Sequence, residues 1–217
     1  MPNSKYLYIA GEWLELLPEK AIYWSDKKIL IIADTHFGKV GTFRQAGIPI
    51  PHKLACSNFD KLNHLLNQKL VERCIVLGDL FHSKMNGQWN ILNDWLKQYP
   101  DISFELVMGN HDILEVNWYE ETGILVHKKF LIEPPFYLVH DPEHYTNSHG
   151  YYGLCGHVHP GVKLTGKAQR SVRLPCFYFG SKYSILPAFG AFTGFVNMLT
   201  KKDDRVFVIA ENQIIKV

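Results

Sequence analysis

Seven oxygen and imidazole donors are spread along the chain in five short blocks: Asp34-Thr35-His36, Gly78-Asp79-Leu80-Phe81-His82, Gly109-Asn110-His111-Asp112, Val139-His140-Asp141 and Gly156-His157-Val158-His159. The donors are Asp34, His36, Asp79, Asn110, His140, His157 and His159, enough for two metal ions. None is a thiolate. Such a set suits a hydrolytic Mn, Fe or Zn centre that leaves room for water, rather than a closed structural zinc site.

Donors this far apart must be carried to one place by the fold. Four of the blocks follow apolar runs, Ile29–Ala33, Cys74–Leu77, Phe104–Met108 and Phe136–Val139, which read as buried strands. The carboxyl ends of neighbouring strands in an α/β sheet lie side by side, so the spacing predicts one shared crevice. Apolar residues at Leu54, Phe59, Leu62, Leu65, Leu66 and Leu70 predict an amphipathic helix over Leu54–Leu70, leading into a strand at Val71–Leu77. Trp89, Ile91, Leu92, Trp95 and Leu96 predict a second over Gln88–Tyr99, stopped by Pro100 before a strand at Ile102–Met108. Ahead of these, Tyr6–Leu17, Ala21–Trp24 and Lys28–Ala33 read as three strands. From Gly123 the pattern turns to strands at Ile124–Val126, Phe136–Val139, Tyr151–Leu154, Phe177–Phe179 and Val206–Ala210. An α/β beginning and a β-rich end predict two sheets packed face to face with helices outside.

At 217 residues with 47% apolar side chains, the chain is sized for one domain, 1–217, with a full core. No stretch approaches the roughly 18 apolar residues of a membrane span, and Met1-Pro2-Asn3-Ser4-Lys5 lacks the layout of a secretion signal. A cytoplasmic protein without a membrane partner is expected. Cys56, Cys74, Cys155 and Cys176 form no C-x-x-C pair and read as reduced thiols. With 23 Lys and Arg against 21 Asp and Glu, the net charge draws no polyanion as a whole, so affinity for nucleic acid requires a local patch.

The five ordered blocks resemble the calcineurin-like metallophosphoesterase superfamily, whose pattern is D-x-H, G-D-x-x-(D/H), G-N-H-(D/E), H and G-H-x-H; the resemblance spans Asp34 to His159. It implies an α/β four-layer sandwich, two mixed β-sheets packed face to face with flanking helices. It also implies two divalent metal ions, Mn first, with Fe, Zn, Ni and Co compatible with the same donors. By this resemblance Asp79 bridges the metals, Asp34, His36 and His159 complete one site, and Asn110, His140 and His157 the other. A metal-bridging hydroxide would attack the phosphodiester in line, so no Ser or Cys nucleophile is needed, and no G-x-S-x-G elbow occurs. His111, beside a ligand, is the expected general acid.

His82 and Ser83 stand where the protein phosphatase signature G-D-x-V-D-R-G has Asp and Arg. Gly78–His82 instead resembles the SbcD-type nuclease branch, which favours phosphodiesters, and gives His82 a catalytic place near the scissile phosphate. Asp34–Lys39, Phe43–Pro51 and Leu186–Gly194 are further similar to the small bacterial ligase-associated DNA damage response endonucleases (PdeM). That resemblance implies a Mn-dependent phosphodiesterase or DNA endonuclease of DNA repair, with DNA as partner and a functional association with a DNA ligase and a helicase. Lys39 and Arg44 are the expected substrate-binding cations, in a patch with Lys84, Lys163, Lys167, Arg170 and Arg173.

Blander roles compete. Asp34 suits a strand-end turn, Asp112 suits the cap of a helix starting near His111, and Trp89, Trp95 and Trp118 suit the core. His52, His64, His127, His144 and His149 match no block. The segment Gly38–Lys53 has no clear period and reads as a loop or short lid bordering the site. Two other functions use the same residues: hydrolysis of a small nucleotide or other small phosphoester, and a catalytically weak binding or scaffold module.

Overall fold

A computed structural model of the chain describes residues 3–39, 41, 47, 52–82, 87–146, 149–165, 171–191 and 193–217, the side chains of 52–56 excepted. Two mixed sheets, of seven and nine strands, and three helices make up these residues, consistent with the expected α/β four-layer sandwich. Among them no helix is long and apolar enough to cross a membrane.

The first sheet runs β1(Lys5–Ile9), β2(Glu12–Leu17), β3(Ala21–Trp24), β4(Ile29–Ala33), β5(Arg73–Leu77), β6(Ser103–Val107), β7(Leu125–His127) in spatial as in chain order. Its first four strands are antiparallel and β4 to β7 are parallel. The parallel strands are joined through α1(His52–Gln68), α2(Gly87–Leu96) and α3(Val116–Glu121). Alternation explains their unbroken apolar sequence. Leu30 and Ile32 pack outward with Leu62, Leu65, Trp89 and Leu92, whereas Ile29, Ile31 and Ala33 pack inward against the second sheet. A strand buried on both faces has no polar face to show.

The second sheet is ordered β14(Val196–Asn197), β11(Pro160–Thr165), β12(Ser171–Phe179), β13(Tyr183–Ile185), β10(Tyr152–Cys155), β9(Phe136–Val139), β8(Phe130–Glu133), with β15(Arg205–Ala210) on β12 and β16(Gln213–Lys216) on β15. Phe136, Leu138, Leu154, Phe177 and Phe179 fill the space between the sheets. Cys74, Cys155 and Cys176 are free and buried.

Three expectations change. Tyr6–Leu17 is two strands, because Ala10 (φ +52°) and Gly11 (φ +89°) turn the chain back on itself. Trp118 is exposed, unlike Trp89 and Trp95, since the short α3 buries only Tyr119. No helix starts at His111; α3 begins at Val116, so Asp112 caps nothing.

Candidate dinuclear metal centre

The ladder between β4 and β5 does not stop where the strands end. Asp34 N–H donates to Gly78 O, His36 N–H to Asp79 O and Phe37 N–H to Leu80 O, and His82 N–H returns to Phe37 O, at 2.8 to 3.1 Å. The first two blocks are therefore held side by side as an irregular continuation of a parallel pair. Gly156 N–H donates to His140 O at 2.9 Å in the same manner past β9 and β10. The ends of the two sheets meet where His157 N–H donates to Asp34 Oδ2 at 3.0 Å.

Two clusters result. Asp34 Oδ1 lies 3.3 Å from His159 Nε2, which is 3.4 Å from His36 Nε2. Asp79 Oδ2 approaches the His36 ring at 4.0 Å. In the second cluster His140 Nε2 is 3.1 Å from both Asn110 Oδ1 and His157 Nδ1, and 3.5 Å from Asp79 Oδ1. Asp79 thus turns one oxygen to each cluster. Asp34, His36 and His159, and Asp34, Asp79 and His140, each bring their donor atoms within 4.8 Å of one another, consistent with a dinuclear divalent-metal site, and His82 stands in a third such triad with His36 and Asp79.

The residues fit such ions chemically. Asp34, His36, Asp79 and His140 are buried, and lone pairs this close repel unless a cation lies among them. Burial foremost, then Lys39 and the neighbouring histidines, pushes the His36 pKa down to about 2, so its imidazole is neutral as a ligand must be. His36 Nδ1 is buried and has no hydrogen-bond partner among the described residues. His140 Nδ1 lies 2.9 Å from Leu77 O, and a proton donated there leaves Nε2 free toward Asn110.

The backbone here is unusual. Asp34 (φ +53°), His36 (+49°), Asp79 (+53°), His157 (+67°) and His159 (+51°) all adopt the left-handed region. At ~1–3 kcal/mol each, this is a sizeable fraction of a domain's net stability, held by the surrounding hydrogen bonds. Gly78 (φ +71°) shares the conformation and is needed for a second reason: a Cβ there would lie 2.1 Å from His140 Nδ1.

Three features escaped the sequence reading. Asp112 is a buried brace: its Oδ2 accepts the N–H groups of Asp79 and Gly109, both at 2.8 Å, and its Oδ1 that of Phe81 at 3.2 Å. Burial raises its pKa to about 6 against the pull of those same hydrogen bonds. Asp141 Oδ2 is 3.8 Å from His157 Nε2, within ion-pair but not hydrogen-bond reach. The segment after β13 clamps the first block: Phe189 N–H donates to Ala33 O at 2.8 Å and Gly190 N–H to Asp34 O at 3.0 Å. Asn58 and Lys61 of α1 tie both sides, Asn58 through Thr35 O and Ala191 N–H, Lys61 through Phe189 O. Only the last had a signal, since Leu186–Gly194 belongs to the family resemblance.

His111 is exposed, with its N–H on Asp79 Oδ1 at 2.9 Å. Its ring is 4.0 Å from that of His82, which is 4.9 Å from that of His36. Burial, ahead of His111 and Lys39, lowers the His82 pKa and keeps that ring neutral. Lys39 lies half-buried close by, its pKa also lowered by burial. Arg44, Lys84, Lys167 and Arg170, with most of the Gly38–Lys53 segment, lie outside the described residues; Lys163 and Arg173 pair across β11 and β12.

Comparison with known proteins agrees with this geometry. The chain is similar over 98% of its length, and over 100% of the other, to the crystal structure of Pseudomonas putida nuclease MPE, with 28% identity and a TM-score of 0.82. A protein of unknown function from Aquifex aeolicus, AQ665, aligns with 65% of this chain and 81% of its own at 19% identity and a TM-score of 0.39. No curated protein matches. The family described as calcineurin-like phosphoesterase matches residues 27–205. With the family's motif residues drawn into two clusters at the ends of its two sheets, the chain belongs to the calcineurin-like phosphoesterases.

Proposed function

We propose that this chain is a dinuclear-metal phosphodiesterase that cuts DNA as an endonuclease in bacterial repair, with manganese as its metal. The observation that carries the reading is the gathering of donors from all five blocks around Asp79, whose two oxygens face opposite clusters. Similarity to a nuclease over the whole chain supports the substrate class.

Asp34, His36, Asp79 and His159 would hold one ion, and Asp79, Asn110, His140 and His157 the other. Bound there, the ions supply Lewis acidity at the phosphoryl oxygens and a water acidic enough to act as nucleophile near neutral pH. The protein's own groups do the rest. Asp112 fixes the Asp79 backbone, and the tie from His111 N–H to Asp79 Oδ1 fixes the place of the His111 ring. That ring is the exposed imidazole of the group and the donor of a proton to the departing alkoxide oxygen. His82, packed between His36 and His111, presents a neutral face and holds His111 forward. Lys39, beside the first cluster, attracts a phosphate oxygen.

The test is hydrolysis of bis-p-nitrophenyl phosphate beside p-nitrophenyl phosphate in Mn(II), followed by nicking of supercoiled plasmid, with Asp79→Asn as control. Diester turnover and nicking, both lost in the variant, are expected. Diester turnover without nicking would move the substrate to small phosphodiesters, and a preference for the monoester would overturn the reading.

A further inference from the structure

Four parallel strands end at the same edge of the first sheet, and three of them are accounted for. Asp34 and His36 follow β4, Asp79 follows β5 and Asn110 follows β6. The fourth is β7, in register with β6 through Val107 and His127, and Met108 N–H still donates to His127 O at 3.0 Å beyond the ladder. The residues that follow β7 are Lys128 and Lys129. They occupy in the fold the place that metal-cluster residues occupy after the other three strands.

Both lysines are exposed, and among the described residues neither lies within ion-pair distance of a carboxylate. The nearby carboxylate, Glu105, is taken by Arg73 at 2.6 Å and His127 at 2.9 Å. They line a cleft of about 810 Å³ that also includes Asn110 and His140 of the second cluster. That volume is within the range of ligand pockets. Phe130 stands in the same wall, paired across the strands with Val139, the residue before His140. Its ring is stacked on Tyr137 at 4.8 Å and 25°, yet remains 41% exposed. An aromatic ring propped from behind and open in front is a surface for a flat partner. Asp141 and Glu143 line the cleft too and repel phosphate, which confines a polyanion to the lysine side.

We infer that this cleft is a nucleotide subsite: Lys128 and Lys129 bind the backbone phosphate next to the scissile one, and Phe130 stacks on the base of that nucleotide. The occupant is an unpaired stretch of nucleic acid strand, since a base must leave its own stack to lie on Phe130. The inference rests on the proposed phosphodiesterase reading and names which side of the metal centre the strand departs from.

The experiment measures binding apart from cleavage. Fluorescence anisotropy of a labelled oligothymidylate is followed with metal-free protein in EDTA for wild type, Lys128→Ala/Lys129→Ala and Phe130→Ala, over a salt series. Bis-p-nitrophenyl phosphate turnover in Mn(II) is recorded on the same preparations. Loss of that one phosphate contact reduces the slope of log affinity against log salt by about 0.7, and the double variant binds about tenfold more weakly at low salt. Phe130→Ala binds about tenfold more weakly with the slope unchanged. Turnover of the small diester, which has no flanking phosphate or base, stays within twofold. Wild-type binding without nucleic-acid cleavage would sink the nuclease reading and keep the subsite. Variants that bind as wild type, variants that lose diester turnover in step with binding, or a wild type that binds no oligonucleotide would each overturn the subsite.

Discussion

Replacing Gly78 by alanine tests whether the two clusters are set by backbone geometry. The new Cβ would meet His140 Nδ1 at 2.1 Å, His140 Cγ at 2.4 Å and Gly109 Cα at 2.8 Å, none of them the far end of a flexible side chain. His140 must withdraw by at least about 1.3 Å to move from 2.1 Å to an ordinary contact of 3.4 Å, and its 2.9 Å link to Leu77 O breaks. A buried hydrogen bond lost in this way costs about 1–3 kcal/mol, and the positive φ adds about 1–2 kcal/mol for a residue with a side chain. The expected destabilisation is about 2–5 kcal/mol. Displacing Nε2, 3.1 Å from both Asn110 and His157, should weaken one of two Mn(II) sites at least tenfold. Misplacement on this scale reduces diester hydrolysis about 100-fold. Gly123→Ala is the control, with φ +86° and nothing within 4 Å of its added Cβ. It bears the conformational term alone and should keep both metal sites. Urea titration and Mn(II) calorimetry on the pair decide the matter. A Gly78→Ala protein that binds two ions as wild type, or loses no more stability than Gly123→Ala, would refute the reasoning.

His111→Ala should slow plasmid nicking by about 10²–10⁴, yet bis-p-nitrophenyl phosphate turnover by under about tenfold, because p-nitrophenolate departs without a proton; equal losses would remove His111 as the acid. Asp141→Asn should reduce Mn(II) affinity about 10- to 100-fold with the fold intact, and calorimetry showing wild-type affinity would disprove that its charge acts on His157. Burial, then Lys20, pushes the Lys61 pKa down to about 7 from an ordinary 10.5. Between those values the unfolded chain holds a proton that the folded one has released, so this group's contribution to stability rises with pH from 7 and levels off above 10.5. Lys61→Met should abolish that rise, worth a few kcal/mol, and parallel stability–pH profiles for variant and wild type would disprove it.

The parts legible in the sequence were those with a strong local signature. Ile29–Ala33 reads as a buried strand, and the family pattern at Asp34–His36 just after it marks one edge of the site. α1 and α2 were likewise legible from the spacing of their Leu and Trp residues. What was missed depends on partners remote in the chain or on backbone that has no residue code. Asp112 accepts from Gly109 N–H, three residues earlier, and its other partners, Asp79 and Phe81, lie over 30 residues earlier. Asp and His do not announce a left-handed φ as Gly does, so the conformation of Asp34 or His159 could not be read. The turn at Ala10–Gly11 was hidden because apolar residues continue through it. Lys128 and Lys129 belong to no motif, and their place follows only from β7 lying beside β6.

The clamp of Phe189 and Gly190 on Ala33 and Asp34 also sets a schedule. During synthesis the first block emerges about 150 residues ahead of the segment that secures it, a gap of roughly 8–30 s at ordinary elongation rates of about 5–20 residues per second. Throughout that interval Ala33 and Asp34 lack the strap that holds their carbonyls, and His157 and His159 are not yet made for most of it. A half-finished chain therefore presents too few donors to trap a cation firmly. Firm metal binding would wait until the chain has been made as far as Gly190, when available ions rather than the order of translation decide what is bound.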